Sequence, residues 1–212
     1  VPMGFDVPDF STLMGLEAHG PDVFVGVSPD YPWGRVYGGQ VVAQGLRAAA
    51  ATVDADRHVH SLHAYFIRGG RIDEPIRYEV DRIRNGRSFM TRRVVARQSE
   101  GAILNLSCSF QIREDQADVQ ESTLSTDLGG VGGGTNEDWG MLERRGVYQE
   151  VGRTAAWLRM VGPLGDDPVV QACALAYASA DLPTTAAGSS HPRMAELDGD
   201  RMTFGDIFVG AS

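Results

Sequence analysis

Three groups of residues in this sequence have the types and spacing to do chemistry. The first is Gly38-Gly39-Gln40, a glycine pair opening an apolar helical pattern. Exposed amide N–H groups at a helix N-terminus can stabilise negative charge developing on a substrate oxygen. The alternative is that the glycines only let the helix pass close beneath a sheet, and spacing alone favours it. The second group is His58, His60 and His63. In a strand, His58 and His60 face one way and His63 the other, so the three do not converge on a metal. His60 can serve as a base or an orienting group, but a sheet histidine with satisfied hydrogen bonds is the commoner outcome. The third group is Arg82, Arg84, Arg87, Arg92, Arg93 and Arg97, gathered in a chain of net charge -9. The guanidinium fork suits phosphate oxygens. The competing reading is a solvated sheet face, partly neutralised by Glu79 and Asp81.

These groups need elements to position them. Tyr37 to Ala51 reads as a helix, with Val41, Val42, Gly45, Leu46 and Ala49 at spacings of three and four. Its small residues allow a sheet to wrap closely around it. Four alternating runs follow: His58 to Ile67, Pro75 to Arg84, Ser88 to Gln98 and Ile103 to Ile112. Asn85-Gly86 sits between the second and third, where both residues tolerate the positive φ of a tight hairpin turn. From Gln111 to Trp139 the apolar runs stop, and Gly129 to Gly134 is glycine-rich, the pattern of a linker. The order then begins again. Thr154 to Val161 is strand-like, Pro168 introduces a helix over Val169 to Ala180, and Thr203 to Val209 resumes strand character. Asp166-Asp167 before that helix reads as a cap or dipole partner. Pattern alone gives an α+β fold.

Composition excludes several classes. The acidic balance opposes general nucleic-acid binding, since a duplex repels it unless a local basic face outweighs the total. Trp33, Trp139 and Trp157 are too scattered for a base-stacking series and read as packing residues. Cys108 and Cys173 lie in apolar stretches, which predicts buried reduced thiols in a cytoplasmic protein and no metal site. No stretch approaches the roughly 20 apolar residues of a membrane span.

The segment Tyr37-Gly38-Gly39-Gln40-Val41-Val42-Ala43-Gln44-Gly45-Leu46, followed by His60-Ser61-Leu62-His63-Ala64-Tyr65-Phe66-Ile67-Arg68, is similar to the opening helix and first long strand of type II (TesB-like) acyl-CoA thioesterases. The similarity continues through Arg84-Asn85-Gly86-Arg87-Ser88-Phe89, Arg92-Arg93-Val94 and Ser107-Cys108-Ser109-Phe110-Gln111. Val170 to Asp181, with Tyr177-Ala178-Ser179 inside it, resembles the helix of that family's second repeat.

The resemblance implies a double hotdog, each repeat an antiparallel sheet wrapped around a long helix. The expected organisation is a first repeat over 1–112, a linker over 113–140 and a partial second repeat over 141–212. It implies hydrolysis of fatty acyl-CoA to free acid and CoA, with no cofactor, by a water that an Asp, a Thr or Ser and a Gln of the second repeat activate. Those residues are expected beyond Ser212, so no catalytic residue is assigned, and three strands following the second helix are expected there or from another subunit. Gly39, Gln40, His60 and Gln111 are expected at the thioester, with the Gly38-Gly39-Gln40 amides meeting its carbonyl oxygen. Ser61 and Gln111 correspond by internal repeat to the missing Asp and Gln segments, which suggests a degenerate first site. Arg84, Arg87 and Arg92 are expected on the CoA phosphates. Acyl-CoA is the expected partner, with no nucleic acid, no membrane and further assembly into a homo-oligomer. The rival reading is a catalytically silent acyl-CoA-binding hotdog, whose signature is binding without turnover. An enoyl-CoA hydratase needs an Asp and a His together on the first strand-to-helix segment of a repeat, and no such pair is present.

Overall fold

The computed structural model describes residues 8–117, 119–121, 136–183 and 186–187. A short helix α1 (Phe10–Leu13), capped by the Asp9 carboxylate on the Thr12 N–H, leads into strands β1 (Glu17–Ala18) and β2 (Val23–Gly26). Helix α2 (Gly38–Ala50) follows, then β3 (Arg57–Phe66), β4 (Ile76–Asn85), β5 (Phe89–Gln98) and β6 (Gly101–Ile112). These six strands form one antiparallel sheet in the order β1-β2-β4-β5-β6-β3. The helix and the four long strands lie within a residue or two of the spans that periodicity predicts.

Alternation fixes which face meets α2. Ile76, Tyr78 and Val80 on β4, Met90, Val94 and Ala96 on β5, and Leu104, Leu106, Cys108 and Phe110 on β6 are all buried. Each large apolar side chain so placed contributes about 1.5–3 kcal/mol. A one-residue slip would turn the whole set to solvent, so the register is strongly specified. The helix answers with small residues: Ala48 and Ala49 are fully buried, and Gly45 stands directly against Leu106 and Tyr78 of the sheet.

Asn85-Gly86 makes a different turn from the expected one. Neither residue has positive φ; Asn85 pairs with Met90, and the Gly86 N–H donates to the Phe89 carbonyl at 2.9 Å across a wider connection. Glycine is needed there for space, since a Cβ would stand 2.7 Å from the Phe89 carbonyl oxygen.

A second sheet has the order β7-β8-β9, formed by β7 (Asn136–Trp139), β8 (Leu142–Glu150) and β9 (Arg153–Met160). β7 lies inside the span expected to be linker. Helix α3 (Pro168–Ala178) has proline in its first turn, and the Asp167 carboxylate accepts from the Val169 N–H at 2.8 Å, the cap that the sequence suggests. α2 and α3 run antiparallel. The start of α2 meets the end of α3 at Gly39 and Tyr177, and the end of α2 meets the start of α3 where Arg47 approaches Asp167 at 3.5 Å. The glycine run Gly129 to Gly134 and the strand expected over Thr203 to Val209 lie outside the described residues.

Both cysteines are free and buried, and burial pushes each thiol up to about 12. Neither is a thiolate at pH 8, and thiolate is the reactive form. Native protein at pH 8 should therefore release almost no chromophore from a disulfide reagent, whereas protein unfolded in guanidinium should react at both thiols within minutes. Fast reaction of either in the native state would contradict the packing described.

Candidate functional site

The N-terminus of α2 is the centre of the candidate site. Its cap residue Tyr37 is extended and supplies no side-chain cap. Among the described residues, no acceptor lies within hydrogen-bond reach of the Gly38 or Gly39 N–H. Gly38 is half-buried and faces the ring edge of Phe66, which would stand 3.0 Å from a Cβ there. Gly39 is buried deeper: a Cβ on it would overlap the Tyr177 carbonyl oxygen and the Tyr37 ring. Two amide donors with the positive end of a helix behind them thus stand at the junction of the two helices.

Gln40 has a different role from the one expected. Its N–H donates to the Tyr37 carbonyl at 3.1 Å, and its fully buried side chain donates to Val27 O, Ser28 Oγ and Gln44 Oε1. Gln44 in turn donates to Leu13 O at 2.8 Å and accepts from the Tyr78 hydroxyl at 2.7 Å. The pair fastens the N-terminal segment to α2 and β4. Gln40 has no donor left to direct at a substrate; only its buried Oε1 is without a partner.

Aromatic residues wall the junction. The Tyr37 hydroxyl donates to the Tyr177 carbonyl at 3.1 Å, and the Tyr31 and Tyr177 hydroxyls stand 3.4 Å apart. Trp33 stacks on Tyr31 at 4.8 Å between ring centres, so the packing role expected of this tryptophan holds. Burial raises the pKa of all three phenols, that of Tyr177 to about 12; the Asp181 carboxylate adds to the effect on Tyr37. They remain protonated donors at neutral pH. Asp181 itself is buried and lies 3.3 Å from Arg144. The sequence shows no signal for these contacts, because the partners are far apart in the chain.

His60 and Gln111 lie elsewhere. β3 carries a bulge between Val59 and Ser61, with His60 the unpaired residue. The bulge resets the alternation: Val59 and Leu62 both pack toward the core, and His60 turns outward to place Nε2 2.9 Å from Ser109 Oγ. His63 pairs with Ser107 on that same outer face, so the expected opposition of His60 and His63 does not occur. Among the described residues no cluster of three or more metal-ligating side chains is present. Gln111 pairs with Phe89 near His60. Phe66, which touches the α2 N-terminus, is six residues along β3 from His60, about 20 Å at strand rise. The structure separates the expected thioester residues into two places.

The arginine group also divides. Arg92 is buried at 1% exposure because it shares the inward phase of Met90, Val94 and Ala96. Its guanidinium donates to Thr52 Oγ1 and O and to the Arg84 and Thr91 carbonyls. It is therefore unavailable for a CoA phosphate, and the alternation Met90-Arg92-Val94 was the signal that it points inward. Arg93 pairs with Asp81, Arg97 with Glu79 and Arg82 with Asp22. Arg84 and Arg87 are exposed at the β4–β5 turn, and among the described residues no carboxylate pairs with either.

Residues 27–111 match the family model described as the acyl-CoA thioesterase N-terminal domain. Over 101 residues, 48% of this chain, the sequence is 45% identical to human acyl-coenzyme A thioesterase 8. The match spans about a third of the length of the curated relatives. Among solved structures, the tesB protein of Mycobacterium avium subs paratuberculosis is 32% identical, with a TM-score of 0.70 over 85% of this chain and 72% of that one. Acyl-CoA thioesterase II TesB2 from Mycobacterium marinum is 30% identical, with a TM-score of 0.73 over 88% of this chain and 72% of that one. The fold is that of these hotdog neighbours. By a structural likeness this extensive at this identity, the chain belongs to the TesB-like acyl-CoA thioesterase II family.

Proposed function

We propose that this protein hydrolyses fatty acyl-CoA thioesters to free acid and CoA. The observation that carries the reading is the N-terminus of α2, where two amide donors without acceptors among the described residues stand at the junction of two helices in a TesB-like fold. A thioester carbonyl oxygen placed there gains negative charge as water attacks, and fixed amides stabilise that charge more than they stabilise the ground state. Gly39 and Gly38 fill this role; Gln40 holds the helix in place. The carboxylate, hydroxyl and amide expected to activate the water lie outside the described residues. The first repeat is taken as 1–112 and the second as 141–212, with β7 as an added strand of the second sheet. Acyl-CoA is the partner, and assembly into a homo-oligomer belongs to the same reading. No helix among the described residues is long and apolar enough to cross a membrane.

Arg84 and Arg87 are the candidates for phosphate contact, since they are exposed and their guanidinium groups are uncommitted. Two charge-assisted contacts partly screened by salt contribute roughly 1–1.4 kcal/mol, a five- to tenfold change. The test is release of CoA by the full-length polypeptide from saturated acyl-CoAs of several chain lengths. Turnover is expected, with KM raised five- to tenfold and kcat nearly unchanged in the Arg84→Gln, Arg87→Gln double variant. No CoA released from any length would refute hydrolysis, and tight binding without turnover would instead identify a silent binder.

A further inference from the structure

At the end of the helix pair opposite Gly39 lies a concavity of about 220 Å³, between the last turn of α2 and the first turn of α3. Leu46, Phe110 and Ala172 form its apolar walls, and Arg57 and Arg113 supply its charge. Arg57 is the unusual member. It pairs with Ile112 on the helix-facing side of β3, and its side chain is only 10% exposed. Its Nε and Nη1 are buried and, among the described residues, donate to no acceptor. The nearest carboxylate oxygen, on the exposed Asp56, is 3.6 Å from Nη1, beyond hydrogen-bond reach. Asp167, at the adjoining end of α3, is taken up by Arg47 and the Val169 N–H. Among the described residues, no acid lines the cavity.

A buried guanidinium without acceptors is unfavourable until an anion reaches it. Nε–H and Nη1–H lie on different sides of the guanidinium, so each offers a carboxylate oxygen a separate charge-assisted hydrogen bond. Apart from Arg57, Arg113 and His58 the lining is apolar, which suits an alkyl chain better than a free phosphate. We propose that this cavity binds a medium-length alkyl carboxylate, its head on Arg57 and its tail against Leu46, Phe110 and Ala172. An acid of this class is what thioester hydrolysis would release, but binding here is read without turnover and stands or falls separately from that activity.

The experiment is calorimetric titration of the full chain with octanoate, 1-octanol and inorganic phosphate, repeated on Arg57→Gln and Ala172→Phe. Arg57→Gln removes a charge that makes no hydrogen bond, so folding should survive. Ala172→Phe fills the cavity and leaves Arg57 intact. The expected result is octanoate binding that weakens at least tenfold in each variant, with octanol at least tenfold weaker than octanoate and phosphate inert. Octanoate affinity equal in all three proteins would place the acid elsewhere, for example at the Gly39 end, and would overturn the proposal. So would octanol binding as well as octanoate, phosphate binding in its place, or no octanoate binding at millimolar concentration.

Discussion

Replacing Gly39 by alanine should destabilise the protein by about 3 kcal/mol or more, while the same change one residue earlier should be nearly neutral. The contrast follows from what each new methyl group would meet. At Gly39 it overlaps the Tyr177 carbonyl and the buried Tyr37 ring, both fixed in the junction of α2 and α3. Backbone cannot yield as a side chain can, so the helices must separate; overpacking of this kind costs about 1–3 kcal/mol and sometimes more. The hydrogen bond from Tyr37 to Tyr177 would also be strained or lost, adding roughly 1 kcal/mol. At Gly38 the new methyl meets only the edge of Phe66, a side chain 59% exposed that can turn away. Alanine also favours helix over glycine by up to about 1 kcal/mol, which offsets the crowding. Thermal melts should show Gly39→Ala lower by roughly 6–12 °C and Gly38→Ala within about 3 °C of the parent. Equal melting temperatures would mean that the helices do not meet at Gly39.

The second large effect belongs to Arg92. Its guanidinium satisfies the Thr52 carbonyl just beyond the end of α2 and the Arg84 carbonyl beside the bulge in β4, between Arg82 and Arg84. An arginine near a helix C-terminus, bonded to backbone carbonyls, ties the helix to the sheet. Arg92→Leu keeps much of the apolar contact but leaves the buried Thr52 carbonyl and the part-buried Arg84 carbonyl without these donors. Each costs about 1–3 kcal/mol, so a total near 3–4 kcal/mol is expected from urea unfolding. Arg92→Lys should recover only part of this, since one ammonium cannot reach both ends of the network. The surface pair Arg93–Asp81, on the same strand and half-exposed, should contribute under about 1 kcal/mol when removed by Arg93→Gln. If the Arg92 and Arg93 changes were equivalent, the buried network would carry no weight.

How much of this the sequence discloses depends on whether a neighbour in space is also a neighbour in pattern. The β4–β6 meander and α2 are legible because alternation and the three-four spacing report directly on which face is buried. β1 and β2 escape notice because runs of two and four residues carry too little periodicity. β8 is hidden by the charged stretch Glu143-Arg144-Arg145 and by a bulge between Gly146 and Tyr148. The bulge at His60 reverses a facing that simple alternation predicts, and no residue in His58 to Leu62 announces it. Arg92 and Arg57, by contrast, stand in phase with Met90 and Val59, so their inward facing is present in the sequence; charge alone suggests otherwise. Gln40 is legible as important but not in its role, because Val27 and Ser28 reach it only through the fold.

In the proposed reaction the amides opening α2 receive the thioester carbonyl. A crystal structure of the full-length polypeptide with a CoA ketone analogue, in which a methylene stands between sulfur and carbonyl so that water cannot cleave it, tests this directly. The predicted result places the ketone oxygen within about 3 Å of the Gly39 or Gly38 nitrogen, beside Tyr37 and Phe66. A ketone oxygen held instead near His60 and Gln111, or the analogue bound with its carbonyl far from α2, would contradict it.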